Sequence, residues 1–273
     1  MPEGHVLHRI ANELNESFGG KELEVTSPQG RFAAEAARLD GHVMTRAEAL
    51  GKQLFIFFDV PEPVGIHIHL GLIGRFVLGP GTPSTGQIRL RLSNGSYAAH
   101  LHGPQWCRAI TMEQYRQAVA TSGPDPIRDD ADPDVGYQRL HRSGKSLAAL
   151  LMDQRIAAGV GNIFRAEVLF RLQLRPMTPG KQIDKATWQA IWDDLVFLMR
   201  RGVEEGRIDT VRKEHSPQAQ GRDPRNDPHG GEVYVYRRAG DPCLVCGTPV
   251  STKKLEGRHL YWCSHCQRRI RAR

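Results

Sequence analysis

Cys243-Leu244-Val245-Cys246 and Cys263-Ser264-His265-Cys266 bracket a short spacer, 247–262, near the end of this 273-residue chain. Two CxxC turns at that separation supply four thiolates. Thiolates are soft ligands, and four of them close a tetrahedron around zinc with no open position. Such a site is structural rather than catalytic. A segment too short to bury a core of its own gains on the order of 10 kcal/mol of folding free energy from the metal. One structural Zn2+ is therefore expected, held by Cys243, Cys246, Cys263 and Cys266. The spacer is basic, with Lys253, Lys254 and Arg258.

The charge gathers around the same place. Residues 237–273 hold nine Lys/Arg against two Asp/Glu, which is the whole of the net charge of +7. Four thiolates on a divalent ion remove about two of these charges and leave the patch positive. A positive surface braced by metal points to nucleic acid, with a merely solvated tail as the plainer alternative. Only Cys107 lies outside the cluster, so there is no disulfide framework and a reducing compartment is expected. The start, Met1-Pro2-Glu3-Gly4-His5, has neither the basic nor the apolar region of a signal peptide. Apolar runs such as 54–58 are too short to span a bilayer. These features together imply a cytoplasmic, nucleoid-associated protein with no membrane partner.

Upstream of the cysteines the pattern changes twice. Val6, Leu7, Ile10, Leu14 and Phe18 recur at helical spacing and Gly19-Gly20 ends the run, so residues 2–18 read as a helix. The following stretch reads as strands and turns: 52–58, 66–70 and 87–92, separated by Gly, Pro and Asn. Residues 111–120 suit a short helix. The expected first domain is a β-sandwich with a flanking helix, 1–121, followed by a Pro/Asp/Gly-rich linker, 122–136. Beyond it the period is helical at 147–152, 163–172 and 186–201, giving a helical domain over 137–232. Its last part, 216–231, is polar and reads as mobile. Residues 233–236 read as a strand leading into a zinc hairpin, 233–273.

Several residues can do chemistry, and each has a bland reading beside it. Gly159-Val160-Gly161-Asn162 precedes a helix, with Asn162 as its N-cap; exposed N–H groups there favour a phosphate, although a glycine-rich turn needs no ligand. Pro at the start of a helix and Glu beside it are ordinary. Removal of Met1, however, exposes a secondary amine at Pro2, and an α-amino group is far less basic than lysine. Such an amine can attack a sugar C1′ and form an imine, while Glu3 moves protons. Lys52 opens an apolar strand and can simply snorkel to water. His5, His8, His67, His69, His100 and His102 are read as partly buried polar residues rather than metal ligands.

Taken in order, these signals resemble the formamidopyrimidine-DNA glycosylase and endonuclease VIII family, its endonuclease VIII branch most closely. The resemblance rests on Pro2-Glu3-Gly4, Gly51-Lys52, His69-Leu70-Gly71-Leu72-Ile73-Gly74, and Leu151-Met152-Asp153-Gln154 leading to Gly159-Val160-Gly161-Asn162-Ile163-Phe164-Arg165-Ala166-Glu167. It continues through the CxxC pairs and Arg258-His259-Leu260-Tyr261-Trp262-Cys263, and so covers essentially the whole chain. It implies a multidomain α+β protein: a β-sandwich, a helix-two-turn-helix domain and a zinc finger. It implies a monomeric, bifunctional repair enzyme acting on damaged double-stranded DNA. On that resemblance Pro2 is the nucleophile, Glu3 the acid/base, and Lys52 a phosphate contact that assists β-elimination. Arg258 serves δ-elimination and grips phosphate, Asn162 binds phosphate, and Leu72 fills the gap left by the extruded nucleotide. No catalytic metal or redox cofactor is implied.

Two departures from the family pattern matter. Where much of the family has Pro and Glu, this chain has His5 and Val6, so a second glutamate is absent. Gly103-Pro104-Gln105-Trp106-Cys107 does not match the arginine-phenylalanine wedge loop of the 8-oxoguanine enzymes, which favours oxidised pyrimidines. The alternatives are an oxidised-purine glycosylase, a non-catalytic damage-binding zinc-finger protein, or a zinc-finger RNA-binding factor.

Overall fold

A computed structural model describes residues 2–62, 64–81, 85–227 and 231–268. The chain divides into two compact units, 1–122 and 123–273.

The first unit opens with α1 (Gly4–Phe18), whose buried stripe of Leu7, Ile10, Leu14 and Phe18 fits the spacing in the sequence. Eight strands follow: β1 (Lys21–Thr26), β2 (His42–Leu50), β3 (Gln53–Phe58), β4 (Gly65–His69), β5 (Arg75–Pro80), β6 (Ile88–Ser93), β7 (Tyr97–His102) and β8 (Trp106–Ile110). The short helix α2 (Ala33–Ala37) lies between β1 and β2. All pairings are antiparallel, in the order β5-β7-β6-β1-β2-β3-β4-β8. The first half of β1 pairs with β2 and its second half with β6, so one strand belongs to both layers of the sandwich. Between the layers lie Leu54, Ile56, Ile66 and Ile68 on one side and Leu90, Leu92, Ala99 and Leu101 on the other, with the α1 stripe packed against them. Phe55 and Phe57 project from the opposite face of β3 and meet Ile110, Met112 and Tyr115. That double burial is why β3 is apolar without alternation. Helix α3 (Met112–Thr121) supplies Met112 and Tyr115, and its N-terminus is closed by a capping box of Thr111 and Gln114.

The second unit contains α4 (Pro133–His141), α5 (Leu147–Leu150), α6 (Asn162–Arg171), α7 (Lys185–Glu205), α8 (Pro217–Gln220) and a hairpin of β9 (Ser251–Leu255) and β10 (Arg258–Trp262). Helix α4 begins inside the stretch read as linker. The Asp132 carboxylate accepts the Asp134 N–H and Pro133 occupies the first turn, so a strong helix start outweighs the loop-like composition. Residues 216–231, which the sequence predicts to be mobile, contain α8, capped by Ser216, and are tied by two ion pairs: Arg222 Nη2 to the following Glu232 at 2.7 Å and Arg225 Nη2 to Asp227 at 2.6 Å. Pro228, His229 and Gly230 of that stretch lie outside the described residues, as do Arg269, Arg271 and Arg273 of the basic tail.

One apolar cluster runs from Leu151, Phe164, Leu169, Trp188 and Leu195 of the helical part to Val250, Leu260, Cys243 and Cys263 of the hairpin. The hairpin thus shares a core with the helices. Residues 233–236 do not form the expected strand. The backbone N–H groups of Tyr234, Val235 and Tyr236 turn inward to a carboxylate instead, which removes them from any ladder.

Candidate functional site

In the first unit the site begins at Pro2, which is half-buried, and Glu3, which is fully buried. Glu3 holds the N-cap position of α1 with extended backbone, yet its side chain makes no capping bond to its own helix. Val6 N–H closes the first turn on the Glu3 carbonyl at 3.0 Å. Val6 itself packs on the sandwich core, and the first turn of α1 contains no acid, so Glu3 is the sole carboxylate of this segment. His5 is buried, and burial, with the charges of His8 and Arg9 behind it, lowers its pKa to about 4. It is an uncharged imidazole at neutral pH.

Lys52 lies at the tip of the β2–β3 hairpin. Leu50 pairs with Gln53, leaving Gly51-Lys52 as a two-residue turn with Gly51 at φ +59°, a conformation that needs glycine. Lys52 is half-buried and its charge depresses the pKa of His69, after the larger effect of burial. His69 in turn shapes the next turn. Its Nδ1 accepts the Gly71 N–H at 3.0 Å, and Gly74 N–H reaches the Leu70 carbonyl at 3.0 Å. Gly71 has φ +69°, and a Cβ there would meet Gln105 Cβ at 2.9 Å. At Gly74 a Cβ would fall 2.2 Å from the Leu70 oxygen. The turn is therefore rigid, and it presents Leu72 and Ile73 to solvent at 57% and 84% exposure. Two adjacent exposed aliphatics on a stiff turn are not core residues. The alternation of β4 did not reveal Ile73, because the pattern ends where the turn begins.

The other histidines follow the bland reading. His67 stacks on Phe55 with centroids 4.6 Å apart, and its Nδ1 accepts from Arg108 Nη2 at 3.1 Å. Burial, then Arg108, lowers its pKa to about 4. Among the described residues the four cysteines are the one group placed to hold a metal ion.

In the second unit those cysteines have all four Sγ atoms within 4.8 Å of one another. Cys243 and Cys266 are 3.9 Å apart and Cys246 and Cys263 3.5 Å. Zinc–sulfur bonds of about 2.3 Å in a tetrahedron give edges of about 3.8 Å, so the donor set fits zinc. Gln267 braces the site: its Oε1 accepts the Cys263 N–H at 2.8 Å and its Nε2 donates to the Leu174 carbonyl at 3.0 Å.

Asn162 is not the N-cap of α6. Gly161 holds that position, and Asn162 is the first helical residue, with its side chain turned away from the helix end. Its Nδ2 donates to the His259 carbonyl of β10 at 3.0 Å, and its Oδ1 accepts from Arg165, which also donates to the His259 carbonyl at 3.1 Å. A long-range partner wins over the local cap because it satisfies a buried carbonyl. Arg258 is next in the chain to that carbonyl. It starts β10 after the Glu256-Gly257 turn, in which both residues have positive φ, +46° and +77°. The glycine-rich turn before α6 is held by Gln154, whose Oε1 accepts the Gly159 N–H at 3.0 Å and whose Nε2 donates to the Val160 carbonyl at 3.0 Å.

The largest feature that sequence reading missed is Glu167. This fully buried carboxylate accepts the N–H groups of Tyr234, Val235 and Tyr236 at 2.7, 2.9 and 2.9 Å and the Thr210 hydroxyl at 2.6 Å. Four donors hold a charge that would otherwise be costly to bury. Its partners lie far along the chain, so no local spacing announces them.

The comparisons agree with this arrangement. The formamidopyrimidine-DNA glycosylase N-terminal domain matches residues 1–104, the formamidopyrimidine-DNA glycosylase H2TH domain residues 122–213, and the zinc finger found in FPG and IleRS residues 240–269. The chain is 44% identical over 273 residues to endonuclease 8 1 of Mycobacterium tuberculosis, covering 98% of this chain and all of that one. It is 30% identical over 238 residues to the formamidopyrimidine-DNA glycosylase of Thermus thermophilus, covering 85% of each chain. The crystal structure of the Thermus thermophilus MutM (Fpg) protein superposes with a TM-score of 0.74 at 26% identity, covering 97% of this chain and 98% of that one. Lactococcus lactis Fpg, solved with DNA containing an abasic site, shares the fold with a TM-score of 0.77 at 20% identity, covering 98% of this chain and all of that one.

Proposed function

The chain belongs to the formamidopyrimidine-DNA glycosylase and endonuclease VIII family, and on that footing we propose that the Pro2 nitrogen is the nucleophile of its reaction. The protein is an endonuclease VIII-like bifunctional DNA glycosylase and abasic-site lyase of base excision repair, with a four-cysteine site for one structural zinc. No described helix is long and apolar enough to cross a membrane.

The observation that carries the assignment of Pro2 is the fully buried carboxylate of Glu3 in the adjacent position. The neutral Pro2 amine attacks C1′, and the base leaves with the electrons of the glycosidic bond. The sugar ring opens as O4′ departs with a proton, leaving an iminium between Pro2 and C1′. Glu3 is the group suited to move these protons, since Val6 supplies no second acid. The iminium acidifies C2′. Loss of that proton expels the 3′ phosphate, and a further elimination expels the 5′ phosphate. Lys52 and Arg258 are positioned at hairpin tips, where a cation can stabilise departing phosphate. Zinc takes no part in these steps; when bound to its four cysteines it holds the hairpin that carries Arg258.

A base inside a duplex shields its C1′, so the nucleotide must be extruded, at a cost of a few kcal/mol. Phosphate contacts from Lys52, from Arg258 and, at Asn162, from the backbone N–H at the start of α6 rather than from its engaged amide offset that cost. Leu72, joined by Ile73, is the wedge that fills the gap. The β7–β8 connection takes only three residues, 103–105, and Gln105 N–H donates to the His69 carbonyl at 2.9 Å. So short a turn offers no separate wedge loop. That favours oxidised pyrimidines as substrate over 8-oxoguanine.

The test is borohydride trapping on an abasic-site duplex. Wild type whose first residue is Pro2 forms a covalent adduct, whereas Pro2→Gly and protein retaining Met1 do not. Absence of an adduct with wild type would mean a binding protein rather than a lyase. Paired duplexes carrying thymine glycol or 8-oxoguanine decide the substrate, and faster release of the purine would reverse the assignment.

A further inference from the structure

The helical unit carries a cavity of about 400 Å³ lined by Arg139, Arg142, Lys145, Asp153 and Arg155. None of these residues takes part in the chemistry above. Four cations share this opening, and the acids near them are already paired. Asp153 binds Arg155 at 2.7 Å and Glu256 binds Lys145 at 3.2 Å. Arg139 Nη1 donates to the Arg155 carbonyl, which ties α4 to the turn before α6. Among the described residues the Arg142 guanidinium has no hydrogen bond or ion pair. Arg139, in the last turn of α4, is partly explained by the helix dipole. Lys145 and Arg155 lie on other segments, so the dipole does not account for the gathering.

The position of the cavity suggests its occupant. Lys145 reaches Glu256, in the β9–β10 turn two residues before Arg258. The lining therefore adjoins the hairpin tip that carries Arg258, and the acid between them, Glu256, is paired with Lys145. A guanidinium with no partner matches a phosphodiester, which accepts two parallel N–H bonds. We propose that this cavity is a second DNA backbone site, in which Arg142, flanked by Arg139 and Lys145, grips a phosphate of the duplex away from the lesion. The site reads no base, so it strengthens binding to damaged and undamaged DNA alike.

The experiment uses full-length, zinc-loaded protein and fluorescence anisotropy across a salt series, with an undamaged duplex and one carrying a tetrahydrofuran abasic analogue. Arg142→Ala should reduce the log–log salt slope by about 0.9, the value for one lost phosphate contact. It should weaken both duplexes several-fold at low salt and leave single-turnover cleavage at saturating enzyme unchanged. Arg207→Ala removes the same charge from a different cavity of the same unit and should leave the slope unchanged. An unchanged slope for Arg142→Ala, or an equal loss for Arg207→Ala, would overturn the proposal. Neither measurement depends on Pro2, so the site and the lyase chemistry succeed or fail separately.

Discussion

In the sandwich unit, β3 is buried from residue 54 to 58 and carries only hydrocarbon there; apart from Glu3 at the start of α1, the buried polar side chains are the imidazoles of His5, His67 and His100 and the hydroxyl of Ser93. In the helical unit the buried polar groups include full charges, Arg165 and Glu167, each bonded to backbone from distant segments. The difference reflects what each unit must specify. Strand pairing already sets the register of a sheet, so hydrocarbon between layers suffices. A zinc hairpin and a set of helices have no ladder joining them. Directional bonds from Asn162, Arg165, Glu167 and Gln267 supply the missing register, and the metal closes the free end.

This contrast can be broken most severely by removing zinc. Chelation in the full-length protein should cost on the order of 10 kcal/mol at the hairpin. Hydrogen exchange should then lose protection in residues 251–262 while the sandwich strands keep theirs. Retained hairpin protection would mean that the shared apolar core holds it without metal. Next in size is Glu167→Gln, whose amide NH2 replaces one carboxylate oxygen and so faces either the Val235 and Tyr236 N–H groups or the Tyr234 N–H and the Thr210 hydroxyl. It should destabilise the helical unit by about 3 kcal/mol, read as earlier exchange at residues 233–236, with the sandwich unit unaffected.

The sandwich unit has the opposite weakness. His5 and His67 have folded pKa values of about 4, below the unfolded value of 6.5. Their uncharged state is stabilising above pH 6.5, and that contribution is lost as pH falls toward 4, because the unfolded chain takes up the protons first. Acid should therefore lower the melting temperature of the sandwich unit across that window by a few kcal/mol of stability, and His67→Gln should flatten the dependence. The smallest effect sharpens the comparison from the surface. Arg9→Ala removes an exposed pair with Glu13 at 2.8 Å and should cost less than about 0.5 kcal/mol by chemical denaturation. A larger loss would show that surface charge contributes more to this unit than its hydrocarbon core suggests.

Much is legible in the sequence alone. The four cysteines announce their metal because soft ligands at fixed spacing have few other uses, and the Sγ distances fit it. The α1 stripe and the apolar β3 are local periodicities, and both appear where the residues put them. The failures share a cause. The neighbours of Asn162 look like a helix start and predict a cap, but its amide is claimed by His259, 97 residues on. The alternation of Val and Tyr over 233–236 predicts a strand, but Glu167 takes the N–H groups of Tyr234, Val235 and Tyr236 from 67 to 69 residues away. Ile73 went unnoticed because only the glycine-locked turn shows that it faces water.

By itself the sequence determined the four-cysteine cluster and the identity of the buried stripes, and it named the residues proposed as nucleophile, acid and phosphate grips. These are short-range properties, set by side-chain chemistry and spacing along one segment. The tertiary structure alone decided which backbone groups the buried Asn162, Arg165 and Glu167 satisfy, where the aliphatic tip of the 70–74 turn points, and which cations gather around the cavity beside Arg142. The physical reason is that a buried polar group must find a partner wherever the fold brings one near, and nearness in space is not written in nearness along the chain.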